Sequence, residues 1–154
     1  MKKIILTTAA LFAISIASAQ FRVGAHVGIP TGDIKDFSSV NLGADVAYTW
    51  SAAEGLDVGI ATGYTSYLGK DGGDAIGFIP VAATAQITLT NNWFIGADLG
   101  YGIGVNPDGV DSGFMYQPKL GYQIEKTGIY VAYKGIALDG FNVSSVNLGV
   151  SFKL

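Results

Sequence analysis

The segment "NLGADVAYTW" (residues 41–50) alternates between two kinds of side chain. Every second residue is apolar, ending with Tyr48 and Trp50, whereas the residues between them are small or polar and include Asp45. Because successive side chains of a β-strand point to opposite faces, this alternation predicts a strand with one apolar and one polar face. The segment "IGADLGY" (residues 95–101) repeats the pattern, with Asp98 in the position of Asp45. Both strands therefore need surroundings that accept a carboxylate on one face and apolar side chains on the other.

Alternation of this kind continues through the chain after residue 20, where no segment shows a convincing helical period. It divides the chain into eight runs, which are residues 21–29, 41–50, 56–66, 78–90, 93–105, 114–124, 129–135 and 143–154. The connections alternate in length: the short ones are residues 51–55, 91–92 and 125–128, and the long ones are residues 30–39, 68–77, 106–113 and 136–142. Their Gly, Asn, Asp and Pro residues are typical of turns.

Eight strands of about ten residues, joined alternately by short turns and longer loops, are the pattern of a transmembrane β-barrel. We therefore predict an all-β fold, an eight-stranded antiparallel up-and-down transmembrane β-barrel formed by residues 20–154. A water-soluble periplasmic β-barrel or sandwich also alternates, as does the subunit of a secreted fibre. A soluble barrel or sandwich would turn its apolar face inward.

The aromatic residues of the apolar face favour the membrane barrel. If the strands run up and down in turn, one group lies near the end where the barrel starts: Phe21, Tyr48, Trp50, Trp93, Tyr122 and Phe152. A second group lies near the opposite end: Tyr64, Tyr101, Phe114, Tyr116 and Tyr133. The residues between the groups are Ala, Val, Leu and Ile. Two aromatic girdles around an aliphatic band are typical of barrels that cross a membrane.

All charged residues within the eight runs lie on the face opposite the apolar one: Arg22, Asp45, Asp57, Asp98, Lys119, Lys134 and Lys153. Charge on a lipid face is costly, so this face predicts the lumen. An eight-stranded barrel is just wide enough to be filled by side chains, and charges buried there need partners. Counting across the hairpins places Asp98 roughly opposite Lys119 and Asp45 roughly opposite His26, to within two residues of register. We expect these residues to form a polar network that fills the lumen, with inward glycines leaving room for it, and no open pore.

The chain begins with "MKKIILTTAALFAISIASAQ" (residues 1–20). Two lysines precede an apolar stretch, and Ala17-Ser18-Ala19 matches the small-residue pattern of a cleavage site. The apolar stretch is short and poorly flanked for a transmembrane helix. We therefore predict that residues 1–19 are a cleavable secretory signal peptide of a bacterial type.

Without those residues the chain carries seven basic and twelve acidic residues, a net charge of −5. This balance disfavours nucleic acid as a partner, because phosphate binding needs a basic face. There is no cysteine, so an exported domain of this kind is held by packing or by its solvent rather than by disulfides.

His26 is the only histidine and therefore the first candidate for acid–base chemistry. A lipid-hydrolysing barrel enzyme needs such a group near the outer rim with a nucleophile or acidic partner. His26 is expected to point inward at mid-depth, so we assign no catalytic residue and expect no enzyme. The glycine-rich segment "GYGIGVNPDG" (residues 100–109) lacks the lysine and the following helix of a phosphate loop, so we assign no cofactor.

The long loops are acidic, with Asp33, Asp36, Asp71, Asp74, Asp108, Asp111 and Asp139 against Lys35 and Lys70. Their order does not fit an EF-hand. The two interpretations left open are a solvated acidic rim and weak Ca²⁺ or Mg²⁺ binding that bridges to lipopolysaccharide phosphates. No metal site is assigned.

Several segments of the chain resemble a known family: "VGIPTGD" (27–33), "FIPVAATAQIT" (78–88), "GADLGYG" (96–102), "YQPKLGY" (116–122) and "NLGVSFKL" (147–154). They are similar to small outer-membrane β-barrel proteins of Bacteroidetes-type bacteria, which resemble the barrels of OmpA and OmpX. The resemblance implies a bacterial outer-membrane location, and the family supplies no catalytic residues.

The resulting expectation is a monomer surrounded by outer-membrane lipid and lipopolysaccharide. We expect a structural or surface-interaction component of the envelope. Two alternatives stay open, which are a narrow channel for ions or small solutes and an enzyme that modifies envelope lipid.

Overall fold

The computed structural model describes residues 2–7 and 20–154, except for the side chain of Asp71. Residues 2–7 are helical, and the rest of the expected signal peptide lies outside the described residues. No helix in the described ranges is long and apolar enough to cross a membrane. The strands are β1 Gln20–Gly32, β2 Ser38–Ala53, β3 Leu56–Gly69, β4 Ile76–Thr88, β5 Trp93–Asn106, β6 Gly113–Ile124, β7 Thr127–Leu138 and β8 Phe141–Lys153.

The eight strands form one closed antiparallel barrel in sequence order, and β8 pairs with β1. The predicted fold class is therefore confirmed. The start of β1 and the end of β8 lie at the same end as the three connections at residues 54–55, 89–92 and 125–126. We name this the terminal end. The opposite end, named the loop end, carries the connections at residues 33–37, 70–75, 107–112 and 139–140.

The pairing register determines how wide the barrel is. Starting at Arg22 and following paired residues once around all eight strands leads back to β1 at Gly32, ten residues further along. With the usual strand rise and spacing, this stagger tilts the strands by about 40° and gives a backbone radius of about 8 Å. Such an interior holds side chains and little else.

The outer surface of the barrel is the apolar face of the strands. Its aliphatic side chains are exposed, as at Ile29 (71%), Ile60 (63%) and Leu148 (55%). The inward side chains at neighbouring positions are largely buried, as at His26 (6%) and Lys134 (1%). A barrel in water would show the reverse arrangement, because its apolar side chains would be withdrawn from the solvent.

Aromatic residues border this apolar surface at both ends. Near the terminal end, the rings of Phe21 and Tyr48 make an edge contact at 4.8 Å, and those of Trp93 and Tyr122 do so at 5.3 Å. Towards the loop end, Tyr116 stacks on Tyr133 at 6.2 Å. Along β5, Trp93 and Tyr101 are eight residues apart, which corresponds to about 20 Å along the barrel axis. This separation is close to the apolar height of a membrane barrel.

One predicted loop is wrong. Residues 136–142 were expected to form a long loop, but β7 continues to Leu138 and β8 begins at Phe141. The connection is the two-residue turn Asp139-Gly140, in which Gly140 has a φ of 71°. Asp-Gly is a strong sequence signal for a tight hairpin, and glycine adopts this positive φ without steric cost.

The lumen is not polar throughout, which corrects the expectation of a polar filling. Towards the loop end, inward side chains form an apolar cluster that we name the apolar cap: Tyr67, Phe78, Ala82, Met115, Ile136 and Val143, closed from above by Ile34. Ile34 belongs to the 3₁₀ helix Asp33–Asp36 and is fully buried. The loop after β1 therefore folds over the barrel mouth and places an aliphatic side chain on the cap.

Replacing Phe78 with Ala is expected to lower the free energy of unfolding by about 3–5 kcal/mol, because it removes a fully buried ring from a packed core. Urea unfolding in detergent micelles measures this loss. The matched control is Ile79→Ala, one residue along and on the outer surface (37% exposed), for which a much smaller loss is expected. Equal losses would contradict the assignment of Phe78 to a packed cap.

Candidate functional site

The lumen residues nearest the terminal end form an ion pair across the barrel, together with a hydrogen bond from the same arginine. Arg22 on β1 donates through Nη2 to Oδ2 of Asp57 on β3 at 2.6 Å, and through Nη1 to Oε1 of Gln86 on β4 at 2.7 Å. Neither β3 nor β4 is adjacent to β1 in the barrel, so both contacts cross the lumen. Lys153, also predicted for the network, pairs in register with Arg22 through the backbone, and its side chain is half-buried.

The middle of the lumen holds a second ion pair, between Asp98 and Lys119, which was predicted from their positions on adjacent strands. Lys119 Nζ lies 2.8 Å from Oδ2 of Asp98, and Nε2 of Gln117 donates to the same oxygen at 2.8 Å. Asp98 is 4% exposed. Lys119 also lies over the ring of Tyr130, 5.5 Å from its centre. A buried carboxylate is tolerated when it gains a cation and hydrogen bonds, and Asp98 has both.

His26 and Asp45 are joined as expected, with Nδ1 of His26 2.7 Å from Oδ2 of Asp45. A carboxylate only accepts, so Nδ1–H donates to it, and Nε2 of a neutral ring can then accept from the hydroxyl of Thr65 at 3.3 Å. Asn41 in turn donates to Thr65 Oγ1 at 2.7 Å. Ser145 and Tyr67 continue these contacts up to the apolar cap.

An acid, a histidine and a hydroxyl in line are also the parts of a nucleophilic triad. Thr65 is fully buried beneath the apolar cap, and His26 is 6% exposed. A substrate has no route to this hydroxyl from the loop end, because Tyr67 and Phe78 close the lumen there. The geometry fits a satisfied hydrogen-bond chain that positions His26.

Lys134, like Lys153, is a predicted lumen residue that forms no ion pair within the described residues. It is 1% exposed, and within the described residues its Nζ has no hydrogen-bond partner. The carboxylates of Asp45 and Asp98 attract its ammonium group, whereas the ammonium group of Lys119 repels it. The amide of Asn147 and Oδ1 of Asp98 also lack protein partners in the described part of the chain.

Two interior cavities lie beside these groups, both bordered by Asp45 and Lys119. The lower one, towards the terminal end, has a volume of about 50 Å³, and the upper one, of about 40 Å³, also contacts Lys134 and Asp98. Both are large enough for water, and buried polar groups without protein partners generally bind internal water.

Two inward glycines allow rings to lie flat against the barrel wall. A Cβ at Gly43 would collide with the imidazole of His26, and one at Gly149 would collide with the ring of Tyr130. These positions on β2 and β8 therefore make room for ring side chains from β1 and β7. Gly121 on β6 does the same for the ring of Phe94.

Four further inward side chains are aromatic, and no role was predicted for them: Tyr67, Phe78, Phe94 and Tyr130. Strand parity would have found Phe78, Phe94 and Tyr130, because each alternates with outward aliphatic residues. Tyr67 lay just beyond the predicted end of its strand.

The loop end carries most of the chain's acidic residues. Seven of the twelve acidic residues lie in its connections, against Lys35 and Lys70, which gives this end a net charge of −5. Within residues 2–7 and 20–154, no group of three His, Asp or Glu side chains is placed to hold a metal ion. One acidic residue has a structural contact, because Asp33 Oδ2 accepts from the backbone N–H of Asn142 at 2.8 Å.

Comparison with known proteins supports the fold. No protein-family model and no curated protein sequence matches the chain. Among solved structures, the chain is similar to Ail, the attachment invasion locus protein of Yersinia pestis, with a TM-score of 0.65, 15% identity and coverage of 88% of this chain and 97% of Ail. Neisserial surface protein A is also similar, with a TM-score of 0.60, 11% identity and coverage of 89% and 97%.

A de novo designed transmembrane β-barrel matches as well, with a TM-score of 0.58, 12% identity and coverage of 88% of this chain and 95% of the design. Ail is an outer-membrane protein. The chain therefore has the fold of the small eight-stranded outer-membrane barrels. The low identities mean that the likeness shows the fold alone.

Replacing Asp98 with Leu is expected to destabilise the barrel by about 3–5 kcal/mol, because Lys119 is left charged and unpaired inside the lumen. The double variant Asp98→Leu/Lys119→Met should recover much of that loss, since it removes both charges. Urea unfolding measures both changes. Asp108→Leu, in an exposed loop, is the control and should have little effect. A double variant no more stable than Asp98→Leu would contradict a compensating ion pair.

Proposed function

We propose that the chain is an integral protein of a bacterial outer membrane, with a sealed lumen and a structural or surface-interaction role in the envelope. The exposed aliphatic surface, bordered by aromatic residues, supports a lipid environment. Charged side chains on the opposite face support a lumen that is filled rather than solvated. The segments quoted from the sequence further support assignment to the Bacteroidetes type of small barrel.

The apolar cap carries the proposal of a sealed lumen. Its members Tyr67, Phe78, Met115 and Ile136 are at most 2% exposed, and Ile34 covers them. An ion entering from the loop end would have to cross this apolar layer without its hydration shell, which is costly. The narrow-channel alternative would need the cap to move as a unit.

The same arrangement supports a role without catalysis. His26 is the only histidine, and its partners Asp45 and Thr65 lie in the lumen below the apolar cap. An enzyme that acts on membrane lipid would need such groups at the rim. We therefore assign no catalytic residue, and the functional surfaces are the two ends and the outer wall.

The expected partners follow from charge and surface. The outer wall would contact lipid and lipopolysaccharide, and the closed strand order leaves no free edge for pairing with a second copy, which supports a monomer. Nucleic acid is not expected. A structure of Ail contains the heparin analogue sucrose octasulfate, but the loop end of this chain carries a net charge of −5, so it should repel such a polyanion.

The outer-membrane assignment predicts that the expressed protein sediments with outer-membrane vesicles and is extracted only by detergent. Unheated samples should migrate differently on a denaturing gel from boiled ones, because a closed barrel resists unfolding by the detergent of the gel. Recovery in the soluble periplasmic fraction, with no heat-dependent shift, would overturn the assignment.

The sealed lumen predicts no stepwise conductance when the purified protein is inserted into a planar lipid bilayer. A general porin in the same bilayer serves as the positive control, and insertion is verified by antibody or by fluorescence. Reproducible conductance steps from the wild-type protein would support the channel alternative and contradict the cap as a permanent seal.

A further inference from the structure

We infer that a cleft at the loop end binds a short basic peptide segment that carries an apolar side chain. This outer cleft has a volume of about 450 Å³ and is lined by residues of three connections, among them Asp36, Phe37, Lys70, Asp74, Pro107 and Val110. The inference rests on the proposed function, because it names the kind of partner for the loops of a surface protein.

Phe37 is the central feature of the outer cleft. Its side chain is 60% exposed, although it lies far from the lipid-facing band. On β2, the aromatic girdle nearest the loop end lies at the level of Ala44, which pairs with the girdle residue Tyr64. Phe37 comes seven residues before Ala44, which places it more than about 10 Å beyond that girdle. An aromatic ring exposed there is not accounted for by contact with the lipid core.

The ring is held in place rather than carried on a loose loop. Phe37 donates its backbone N–H to Ile34 O at 2.9 Å and accepts at its own carbonyl from Lys70 N at 3.0 Å. Its ring lies 6.0 Å from that of Phe141, and Ile34 is fixed in the apolar cap. A preorganised aromatic side chain loses little conformational entropy on binding, so rings of this kind often dominate the affinity of an interface.

The remaining walls explain why the partner needs an apolar group. Pro107 and Val110 line the cleft together with Phe37, and Val110 also packs against the apolar cap. An apolar side chain bound in the cleft would cover apolar surface of these residues and would itself be removed from water. The volume of the cleft admits one or two side chains and excludes a folded domain.

The charge around the cleft determines which side chains should flank the apolar group of the partner. The loop end carries a net charge of −5, whereas the lumen charges nearly balance, so the negative field of the molecule is concentrated at the end that holds the cleft. Asp36 and Asp74 line the cleft beside a single lysine, Lys70. Phosphate groups and acidic peptides would be repelled. A divalent cation alone would satisfy the carboxylates but leave Phe37 exposed, so basic side chains flanking an apolar one fit both observations.

The test uses the full barrel in nanodiscs of neutral phosphatidylcholine. Its probe is the acetylated, dye-labelled pentapeptide Lys-Leu-Lys-Leu-Lys, with fluorescence anisotropy as the readout. Empty nanodiscs give the background. Saturable binding to the loaded discs is expected, with at least tenfold weaker binding of Glu-Leu-Glu-Leu-Glu and of Lys-Ser-Lys-Ser-Lys. Binding should also weaken severalfold at 0.5 M salt, because exposed charges are then screened.

Matched variants locate the binding site. Phe37→Ser should weaken binding at least tenfold, and Asp36→Asn about threefold. Asp108→Asn removes the same charge outside the cleft and should change binding less than twofold. A heat-dependent gel shift verifies that each variant is folded.

Several outcomes would overturn the proposal: no saturable binding to the wild type, equal binding of Phe37→Ser, or binding of the serine peptide as tight as that of the leucine peptide. None of these results would affect fractionation or conductance, so failure of the cleft is distinguishable from failure of the proposed function.

Discussion

Every strand of this barrel is hydrogen-bonded on both sides, and the ladder closes on itself after a stagger of ten residues. Closure satisfies the backbone polar groups without water, which an apolar solvent requires. The stagger and the strand number together set a backbone radius of about 8 Å. The space inside is therefore occupied by side chains, and a charge that points inward must find its partner among them. The ion pairs of Arg22 and Asp98 follow from this narrowness.

The filled interior is divided into layers of different chemistry. Ion pairs and hydrogen bonds occupy the terminal end and the middle, whereas apolar side chains seal the loop end beneath Ile34. The chain of contacts from Tyr67 to Asp45 joins the two parts and supplies hydrogen-bond partners to Asn41, Thr65 and His26 below the apolar cap. A lumen sealed in this way favours functions at the surfaces, and the acidic loop end with its fixed Phe37 is the most distinctive of them.

Strand parity alone predicted most of the fold. The alternation in "NLGADVAYTW" and its seven counterparts gave the number of strands, the two faces and the inward position of each charged residue. Counting residues across the hairpins also predicted the contact between Asp98 and Lys119, because these two residues lie on adjacent strands. The turn at Asp139-Gly140 was missed although its signal was present. The apolar cap was missed because inward apolar residues do not interrupt an alternating pattern as charges do.

The sequence by itself determined which side of the wall each side chain occupies, since alternation is a local property of an extended strand. It also determined that the loop end is acidic. Only the tertiary structure decided which residues meet across the lumen. Arg22 reaches Asp57 and Gln86 on other strands, and Lys134 is left without a hydrogen-bond partner among the described residues. These contacts depend on the stagger and on closure of β8 onto β1, which no single strand encodes.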